Sequence, residues 1–234
     1  MSAGPFSVAI WGASGATGSE LLRQCLADER VGEVRAFVRS QLDFQHESLH
    51  QVVISDFLDP QSYRGELDAI DVVFWCLGVS QSAVRDEARY REITLDYTMT
   101  AARALQAASP DVAFHFVSAM GADSSGRLRP MWARVKGETE EALKEMDWRR
   151  LVIWRPSYIE VVGGRSNPTR IERLWEILSP LFRLFPSLVN TTTDIAAAMR
   201  HEAFDGGDTD RPFCEMRLAG DILRLARGGC ETPD

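Results

Sequence analysis

Three glycines spaced three residues apart follow the first apolar run of the chain. Gly12, Gly15 and Gly18 lie in VAIWGASGATGSELL, between the run 6–11 and a stretch of helical period at 16–28. The first glycine allows a tight turn, the second lets backbone N–H groups approach a ligand, and the third lets a helix pack closely on a strand. The positive N-terminus of such a helix favours phosphate. The spacing predicts a cradle for a pyrophosphate; a glycine-rich turn with no ligand is the alternative. The cradle residues are Gly12, Ser14, Gly15, Ala16, Thr17 and Gly18.

An arginine stands at the end of the second predicted strand. In a dinucleotide-binding unit, an acidic residue about 20 residues beyond the glycines accepts hydrogen bonds from an NAD ribose. This chain has Arg39 there, followed by Ser40, in the segment AFVRS. A guanidinium can grip a 2′-phosphate with two hydrogen bonds, and it leaves a bare ribose without an acceptor. NADP is therefore the predicted cofactor, with Arg39 and Ser40 at its phosphate. A solvated surface arginine is the alternative.

The elements that must position these residues alternate between strands and helices. Apolar runs of strand type occur at 6–11, 33–38, 51–55, 71–77, 112–118, 150–155 and 212–218. Segments of helical period occur at 16–28, 81–108, 132–147 and 194–203. The run 71–77 is continuously apolar, which is typical of a strand covered on both faces. The alternation predicts an α/β fold of the Rossmann type, with a doubly wound, mostly parallel sheet and helices on both faces.

Length and charge limit the class of protein. With 234 residues, of which 45% are hydrophobic and 26% charged, the chain suits one globular domain. The net charge of −8 argues against a nucleic-acid-binding surface, and no apolar run approaches the ~20 residues of a membrane-spanning helix. The N-terminus lacks the features of a secretory signal, so we expect a cytoplasmic protein. Neither nucleic acid nor a membrane is an expected partner.

One stretch departs from the simple alternation. Residues 163–190 combine a segment of helical period with a proline-bounded apolar segment. The apolar stripe of the helical segment consists of Ile171, Leu174, Trp175 and Leu178. Helical period indicates an apolar face without showing what covers it. The face packs on the sheet, closes over a substrate, or contacts a second copy of the chain or another protein. We expect a single domain, 1–234, in which 158–190 and the C-terminal part form a small substrate or lid region.

Several longer motifs occur in one order along residues 6–157. They are GASGATG at 12–18, FVRS at 37–40, SDFLD at 55–59, VVFWCLG at 72–78, HFVSAMGAD at 115–123, VKGETEEAL at 135–143 and VIWRPS at 152–157, with looser matches in TTTDIAAAM at 191–199 and LAGDILRLA at 218–226. With this combination the chain resembles the short-chain dehydrogenase/reductase superfamily. It is most similar to the atypical NAD(P)H-binding branch of NmrA-like and Tat-interacting-protein-like oxidoreductases. The motifs are specific for the branch and not for a substrate.

The resemblance implies NADPH in an extended groove and a small-molecule substrate. It adds contacts beyond the cradle and Arg39. These are Asp56 and Phe57 beside the adenine, Leu77 and Gly78 along the ribose and pyrophosphate, Lys136 at the nicotinamide ribose, and Arg155, Pro156 and Ser157 near the nicotinamide.

The resemblance also implies a catalytic serine, tyrosine and lysine, of which this chain has two. Ser118 and Lys136 match, but Trp132 stands where relatives have the tyrosine, and Ala119 where they often have a second serine. A phenol with a pKa of ~10 acts as a base at neutral pH only beside a cation, and indole has no group that ionises usefully. Loss of a positioned acid lowers the rate by about 10²–10⁴-fold. A surface ion pair with Glu140 is the alternative role of Lys136.

Tyr158 is a candidate for the missing proton donor because it directly follows the RPS motif. A donor must lie within hydrogen-bond distance of the substrate, so lining the pocket is the simpler role. Ser118, Asp123 and an ordered water are further candidates. Two hypotheses stay open: an oxidoreductase for a small carbonyl substrate, with Ser118, Lys136 and Tyr158 in its centre, and an inactive NADP(H)-binding redox sensor or regulatory scaffold.

The segment HESLH, His46 to His50, fits a pattern in which two histidines four residues apart on a helix bind zinc. It falls in a short polar connection between two predicted strands, and no persuasive third ligand lies nearby in the sequence. We therefore expect a solvated loop and no metal.

Overall fold

A parallel sheet organises the part of the chain that the structure describes. The computed structural model describes residues 5–125, 130–161, 189–205 and 213–228. The strands are β1 (Phe6–Trp11), β2 (Val31–Val38), β3 (Leu49–Val53), β4 (Val72–Trp75), β5 (Ala113–Val117), β6 (Arg150–Arg155), β7 (Tyr158–Glu160), β8 (Val189–Thr191) and β9 (Phe213–Leu218). Seven of them form one sheet in the order β3-β2-β1-β4-β5-β6-β9, and every neighbouring pair is parallel.

Helices cover both faces of this sheet. They are α1 (Ala16–Leu26), α2 (Glu87–Arg91), α3 (Tyr97–Ala108), α4 (Met131–Lys144), α5 (Thr192–Asp205) and α6 (Ala219–Ala226). Side chains of α1, α5 and α6 pack on one face, and those of α3 and α4 pack on the other. All four residues of β4 are buried because helices cover the strand from both sides. The predicted Rossmann-type fold is confirmed. None of these helices is long and apolar enough to cross a membrane.

The predicted helix 81–108 is not continuous. The α-helix begins only after Asp86, whose side chain caps α2 by accepting a hydrogen bond from Arg89 N. A π-helical segment, Glu92–Asp96, then joins α2 to α3. The widened turn leaves the Thr94 carbonyl oxygen within 3.5 Å of the Thr139 hydroxyl on α4. An apolar stripe of helical period does not reveal such a widening, because its side chains still repeat at nearly the same spacing.

The sequence patterns do not predict β7, β8 or α6. The two strands have three residues each and pair in parallel outside the main sheet. Elements this short hold too few residues for a periodic pattern. Of the predicted lid region 158–190, residues 162–188 lie outside the described ranges, and so does its apolar stripe.

The HESLH segment does not form a helix. Residues 46–48 belong to a connection, and His50 lies in β3. His46 Nδ1 accepts a hydrogen bond from Ser48 N at 3.2 Å. His50 Nε2 lies 3.2 Å from a carboxylate oxygen of Glu66. The two histidines therefore lack the helical arrangement that the zinc motif requires.

A cluster of ion pairs joins the end of α1 to α5. The buried Asp28 side chain lies 2.8 Å from Arg30 Nη2 and 2.6 Å from Arg200 Nη2. The hydrogen bonds from Arg30, and then those from Arg200, hold the pKa of the Asp28 carboxyl well below its usual range. A carboxylate whose pKa is lowered by folding stabilises the fold above its unfolded pKa of about 3.9, and this contribution is lost as the pH falls toward the folded pKa.

We therefore expect Asp28→Asn to lower the melting temperature at neutral pH, and the difference from wild type to shrink below pH ~4. Thermal denaturation of both proteins between neutral and acidic pH measures this. Asp43→Asn is the matched control, because Asp43 is exposed and its side chain has no ion pair or hydrogen bond within the described ranges. A difference for Asp28→Asn that stays constant with pH would contradict the assignment.

Candidate functional site

The carboxyl ends of β1 and β4 form a crevice where the strand order reverses direction. β1 leads through α1 to β2 on one side, and β4 lies on the other side. The two ends are joined by a hydrogen bond from Cys76 N to Trp11 O at 2.9 Å. Leu77 is partly buried at this edge and Gly78 is exposed. Ligands of open α/β sheets bind in such a crevice, and the glycine loop lies there.

Two of the three glycines are required by contacts within the protein. Gly12 has a φ of +79°, and a Cβ there would lie 2.8 Å from backbone atoms of Cys76 and Leu77. A Cβ on Gly18 would lie 2.2 Å from the carbonyl oxygen of Gly12. The obstructing atoms are backbone, so neither position has room for a side chain. Gly12 provides the tight turn, and Gly18 allows α1 to pack closely on the loop that follows β1.

Gly15 lies in a more open environment. A Cβ there would meet the Gly12 carbonyl oxygen at 3.2 Å and no other neighbour within 4 Å. Ser14, Gly15 and Ala16 are exposed, whereas Thr17 is buried. Gly15 is the N-cap of α1 and offers no side-chain acceptor, and the first turn holds no acidic residue. The first N–H groups of α1 are therefore open to an anion, and the cradle fits a pyrophosphate.

The predicted adenosine contacts follow β2 and β3. Arg39 and Ser40 are exposed, and the Arg39 guanidinium has no ion pair or hydrogen bond within the described ranges. Asp56 is exposed, and its Oδ1 accepts a hydrogen bond from Leu58 N at 2.8 Å. The Phe57 side chain is buried and stacks on Tyr97, with ring centroids 5.3 Å apart. The backbone of Phe57, and not its ring, is therefore what remains to face an adenine.

The RPS segment after β6 is held by a buried asparagine. Asn190 Oδ1 accepts hydrogen bonds from Ser157 N at 3.1 Å and Ser157 Oγ at 3.2 Å. Asn190 Nδ2 donates to the carbonyl oxygen of Ala219 at 3.1 Å. Pro156 O accepts a hydrogen bond from Met120 N at 2.9 Å. These bonds fix the predicted nicotinamide wall against the loop after β5 and the start of α6.

Ser118, Glu140 and Arg155 form a buried bridge between β5, α4 and β6, which we call the Ser–Glu–Arg bridge. Ser118 Oγ donates to Glu140 Oε1. Arg155 Nε donates to Glu140 Oε1 at 3.0 Å, and Arg155 Nη2 donates to Glu140 Oε2. Glu140 is fully buried, and its hydrogen bonds raise the pKa of the Arg155 guanidinium. The hydroxyl proton of Ser118 is therefore engaged by Glu140.

Lys136 lies next to this bridge on α4. Its Nζ donates to the carbonyl oxygen of Val117 at 3.1 Å and lies 5.5 Å from the centre of the Phe116 ring. Within the described ranges no carboxylate lies at ion-pair distance, so Lys136 does not form the surface pair with Glu140 that its spacing allows. Burial lowers the pKa of the Lys136 ammonium to about 8, and the charge of Glu140 opposes this shift.

Trp132 lies one helical turn before Lys136. It packs against a small apolar cluster around Tyr90, and its ring faces Gly121, where a Cβ would lie 3.6 Å from Trp132 Cη2. Its indole N–H donates to no group in the described ranges. Trp132 therefore brings an apolar ring and a non-ionising N–H to the position of the expected phenol. Tyr158 begins β7 directly after the RPS segment and is partly buried; its role as a proton donor stays a prediction.

Gly137 allows α4 to approach the loop after β5. A Cβ at this position would lie 2.3 Å from Ser124 N and 2.6 Å from the carbonyl carbon of Asp123. The loop backbone therefore occupies the space of a side chain. This close approach holds Trp132 and Lys136 beside the end of β5.

Residues 12–156 match the sequence profile of a family described as NAD(P)H-binding. The chain belongs to this family. The matched range includes the glycine cradle, the Ser–Glu–Arg bridge and Lys136. Protein HTATIP2 of Rattus norvegicus is 31% identical over 164 residues, which cover 69% of this chain and 66% of the rat protein, just under two thirds of its length. Protein fmp52-2, mitochondrial, of Neosartorya fischeri is 25% identical over 231 residues, which cover 94% of this chain and 96% of that protein.

Solved structures share the fold of this NAD(P)H-binding chain. An oxidoreductase of the short chain dehydrogenase/reductase family from Burkholderia thailandensis has a TM-score of 0.70 at 18% identity, covering 94% of this chain and 93% of that chain. A short chain dehydrogenase from Burkholderia cenocepacia in complex with NADP has a TM-score of 0.67 at 16% identity, covering 97% and 94%. The family match and the rat relative bear out the resemblance to the atypical NAD(P)H-binding branch, and the solved structures show that the fold is shared.

Two buried residues of this candidate site, Glu140 and Asn190, are not among the site residues predicted from the sequence. Glu140 is one of several acidic residues on α4, and Asn190 precedes a run of threonines. Glu140 lies four residues after Lys136, so the two side chains share a helix face, and this spacing is the one sequence signal that points to Glu140 as a site residue. No sequence signal points to Asn190, because its hydrogen-bond partners, Ser157 and Ala219, lie about 30 residues away on either side.

Proposed function

We propose that this NAD(P)H-binding protein is an NADP(H)-dependent oxidoreductase that reduces a small carbonyl substrate. Family membership supports a nicotinamide cofactor. The preference for NADP, the reaction and the substrate class are the proposal. The glycine cradle would hold the pyrophosphate, the RPS segment would line the nicotinamide, and Ser118 and Lys136 would lie at the reacting groups. A bound cofactor would supply or accept the hydride.

The side chain that carries the NADP assignment is Arg39. Its guanidinium is exposed at the carboxyl end of β2 and has no partner in the described ranges. The residues next to it, Val38 and Ser40, offer no carboxylate to a ribose hydroxyl. A free guanidinium binds a 2′-phosphate with charge-assisted hydrogen bonds and has no comparable interaction with a ribose hydroxyl. The dehydrogenase of Burkholderia cenocepacia, solved with NADP, is consistent with this choice.

We expect Arg39→Asp to weaken NADPH binding by about 10–100-fold, equivalent to about 1.4–2.8 kcal/mol, and to change NADH binding much less. The reason is that the change removes the phosphate contact and adds a repulsive charge. Fluorescence titration of wild type and variant with both reduced nucleotides measures the four affinities. Arg103→Asp, at an exposed arginine of α3, controls for the change in net charge. Equal affinities of the wild type for NADPH and NADH would exclude the assignment.

A second candidate function is a redox sensor or scaffold that binds NADP(H) without turnover. Two observations favour it: Trp132 has no acidic group, and the Ser118 proton is engaged by Glu140. Under this hypothesis the protein binds NADPH and oxidises it with none of a broad panel of aldehydes, ketones and quinones. The apolar stripe around 171–185, which this function would use for a partner, lies outside the described residues.

A further inference from the structure

The usual source of a proton is missing from the end of β5. Trp132 stands at the position of the phenol and cannot ionise usefully. Ser118 already donates its hydroxyl hydrogen to Glu140. Glu140 in turn accepts both hydrogen bonds of the Arg155 fork. These three groups are therefore engaged or non-ionising, and a reduction here needs another donor.

The Lys136 ammonium is available at the same place. Within the described part of the chain its one hydrogen bond goes to Val117 O, one residue before Ser118, at 3.1 Å. An ammonium has three N–H bonds, so two remain for a ribose hydroxyl and a substrate oxygen. In the described ranges no carboxylate pairs with it. Lys136 thus has both the position and the spare hydrogens that a proton donor requires.

The choice of lysine at this position is itself informative. Of the 26 lysine and arginine residues in the chain, two are lysine, Lys136 and Lys144. Arginine remains protonated throughout the physiological range, whereas a desolvated lysine can release and regain a proton. The site therefore holds one of the two lysines of a chain whose other 24 lysine-or-arginine positions are arginine.

We propose that Lys136 is the proton donor of the reduction, in place of the missing phenol. This inference rests on the oxidoreductase function proposed above. Hydride from the reduced nicotinamide adds to the carbonyl carbon of the substrate as the C=O π electrons move to oxygen. That oxygen forms an O–H bond with a proton from Lys136 Nζ as the N–H bond breaks. The neutral amine then regains a proton from solvent.

The proposal predicts the direction of the pH dependence. Only the ammonium form donates, and burial places the pKa of Lys136 at about 8, so reduction should be lost as the pH rises through about 8. Facing charged groups are Glu140, one turn along α4, and Arg155 of β6, which is paired with it. Further ion pairs of α4 include Arg91–Glu138, Arg134–Glu87 and Lys144–Glu141.

The protonation of Lys136 can be measured without any substrate. Reductive methylation with ¹³C-formaldehyde labels the two lysines and the terminal amine for NMR titration. Lys144→Arg removes one of the lysine signals and so assigns the other. We expect the remaining lysine signal, that of Lys136, to titrate with a pKa near 8.

The variant Lys136→Arg retains the positive charge and cannot release a proton. We expect it to bind NADPH within about threefold of wild type and to lose at least about 100-fold in kcat, and the alkaline limb of its pH profile to disappear. Lys144→Arg should leave kcat and the pH profile unchanged. Stopped assays of NADPH oxidation with a carbonyl panel measure both variants.

Three results would overturn the proposal while leaving the oxidoreductase function intact. In the first, the wild-type protein reduces a carbonyl although the pKa of Lys136 lies above 10. In the second, the kcat of Lys136→Arg is within tenfold of the wild-type value. In the third, the pH profile of Lys136→Arg keeps its alkaline limb. If Lys136→Arg fails to fold, two wild-type measurements test the proposal: the NMR titration of Lys136 and the pH profile of kcat. A Lys136 titration midpoint that differs from the midpoint of the alkaline limb overturns the proposal. A wild type that binds NADPH and reduces no carbonyl overturns the proposed function, and this inference with it.

Discussion

Gly18→Ala is expected to lower the stability of the folded protein by about 3 kcal/mol, whereas Gly15→Ala should change stability by less than about 1 kcal/mol. A Cβ at position 18 would lie 2.2 Å from the Gly12 carbonyl oxygen, so the turn or the helix must move. At position 15 the nearest atom is 3.2 Å away. The larger effect of Gly15→Ala should be on the ligand: we expect NADPH affinity to fall at least about tenfold, because the methyl group crowds the open part of the cradle.

Chemical denaturation and NADPH titration of both variants separate these two effects. Gly220→Ala is the control for stability, since Gly220 lies at the exposed start of α6 and a Cβ there meets nothing within 4 Å. A Gly15→Ala protein with wild-type NADPH affinity would show that the phosphates do not bind at the start of α1.

The second large effect is expected at the Ser–Glu–Arg bridge. Glu140→Ala should destabilise the fold by about 3 kcal/mol, because removal of one partner of a buried pair leaves the other charge without compensation. Glu140 is fully buried and accepts from Ser118 and twice from Arg155. The Arg155 side chain is only 20% exposed, so water compensates it incompletely. Urea denaturation of the purified variant gives the free energy of unfolding.

A neighbouring glutamate provides the matched control. Glu141 is exposed and pairs with Lys144 at the surface, so Glu141→Ala should cost less than about 1 kcal/mol. Glu140→Gln keeps an acceptor for Ser118 and should fall between wild type and Glu140→Ala. Equal destabilisation by Glu140→Ala and Glu141→Ala would show that the buried bridge contributes nothing beyond an ordinary surface pair.

Local patterns account for the parts of the site that one short segment builds. The glycine loop and the start of α1 are contiguous in the chain, so the spacing of Gly12, Gly15 and Gly18 was enough to predict the turn and the helix start. The position of Arg39 at the carboxyl end of β2 is predictable for a similar reason, because β2 follows α1 directly and pairs with β1, which leads into the cradle. The resemblance added Ser118 and Lys136, since their order and surrounding motifs match the family.

The Ser–Glu–Arg bridge could not be predicted in this way. Its three residues come from β5, α4 and β6, and their meeting depends on which face of α4 turns toward the sheet. That rotation depends on Gly137, where the helix backbone lies against Ser124. Sequence spacing alone allowed Lys136 to pair with Glu140 at the surface. In the folded chain Glu140 forms its ion pair with Arg155, and Lys136 Nζ donates a hydrogen bond to Val117 O instead.

By itself, then, the sequence determined a doubly wound fold with a glycine-rich first turn, and it determined that no phenol stands four residues before Lys136. Periodicity and glycine spacing act over a few residues, and within that range the backbone geometry leaves few alternatives. Tertiary structure decided which polar groups are buried together and which remain free. Burial of Glu140 engages Ser118, and burial of Lys136 lowers its pKa, because desolvation and pairing depend on neighbours that are distant in the chain.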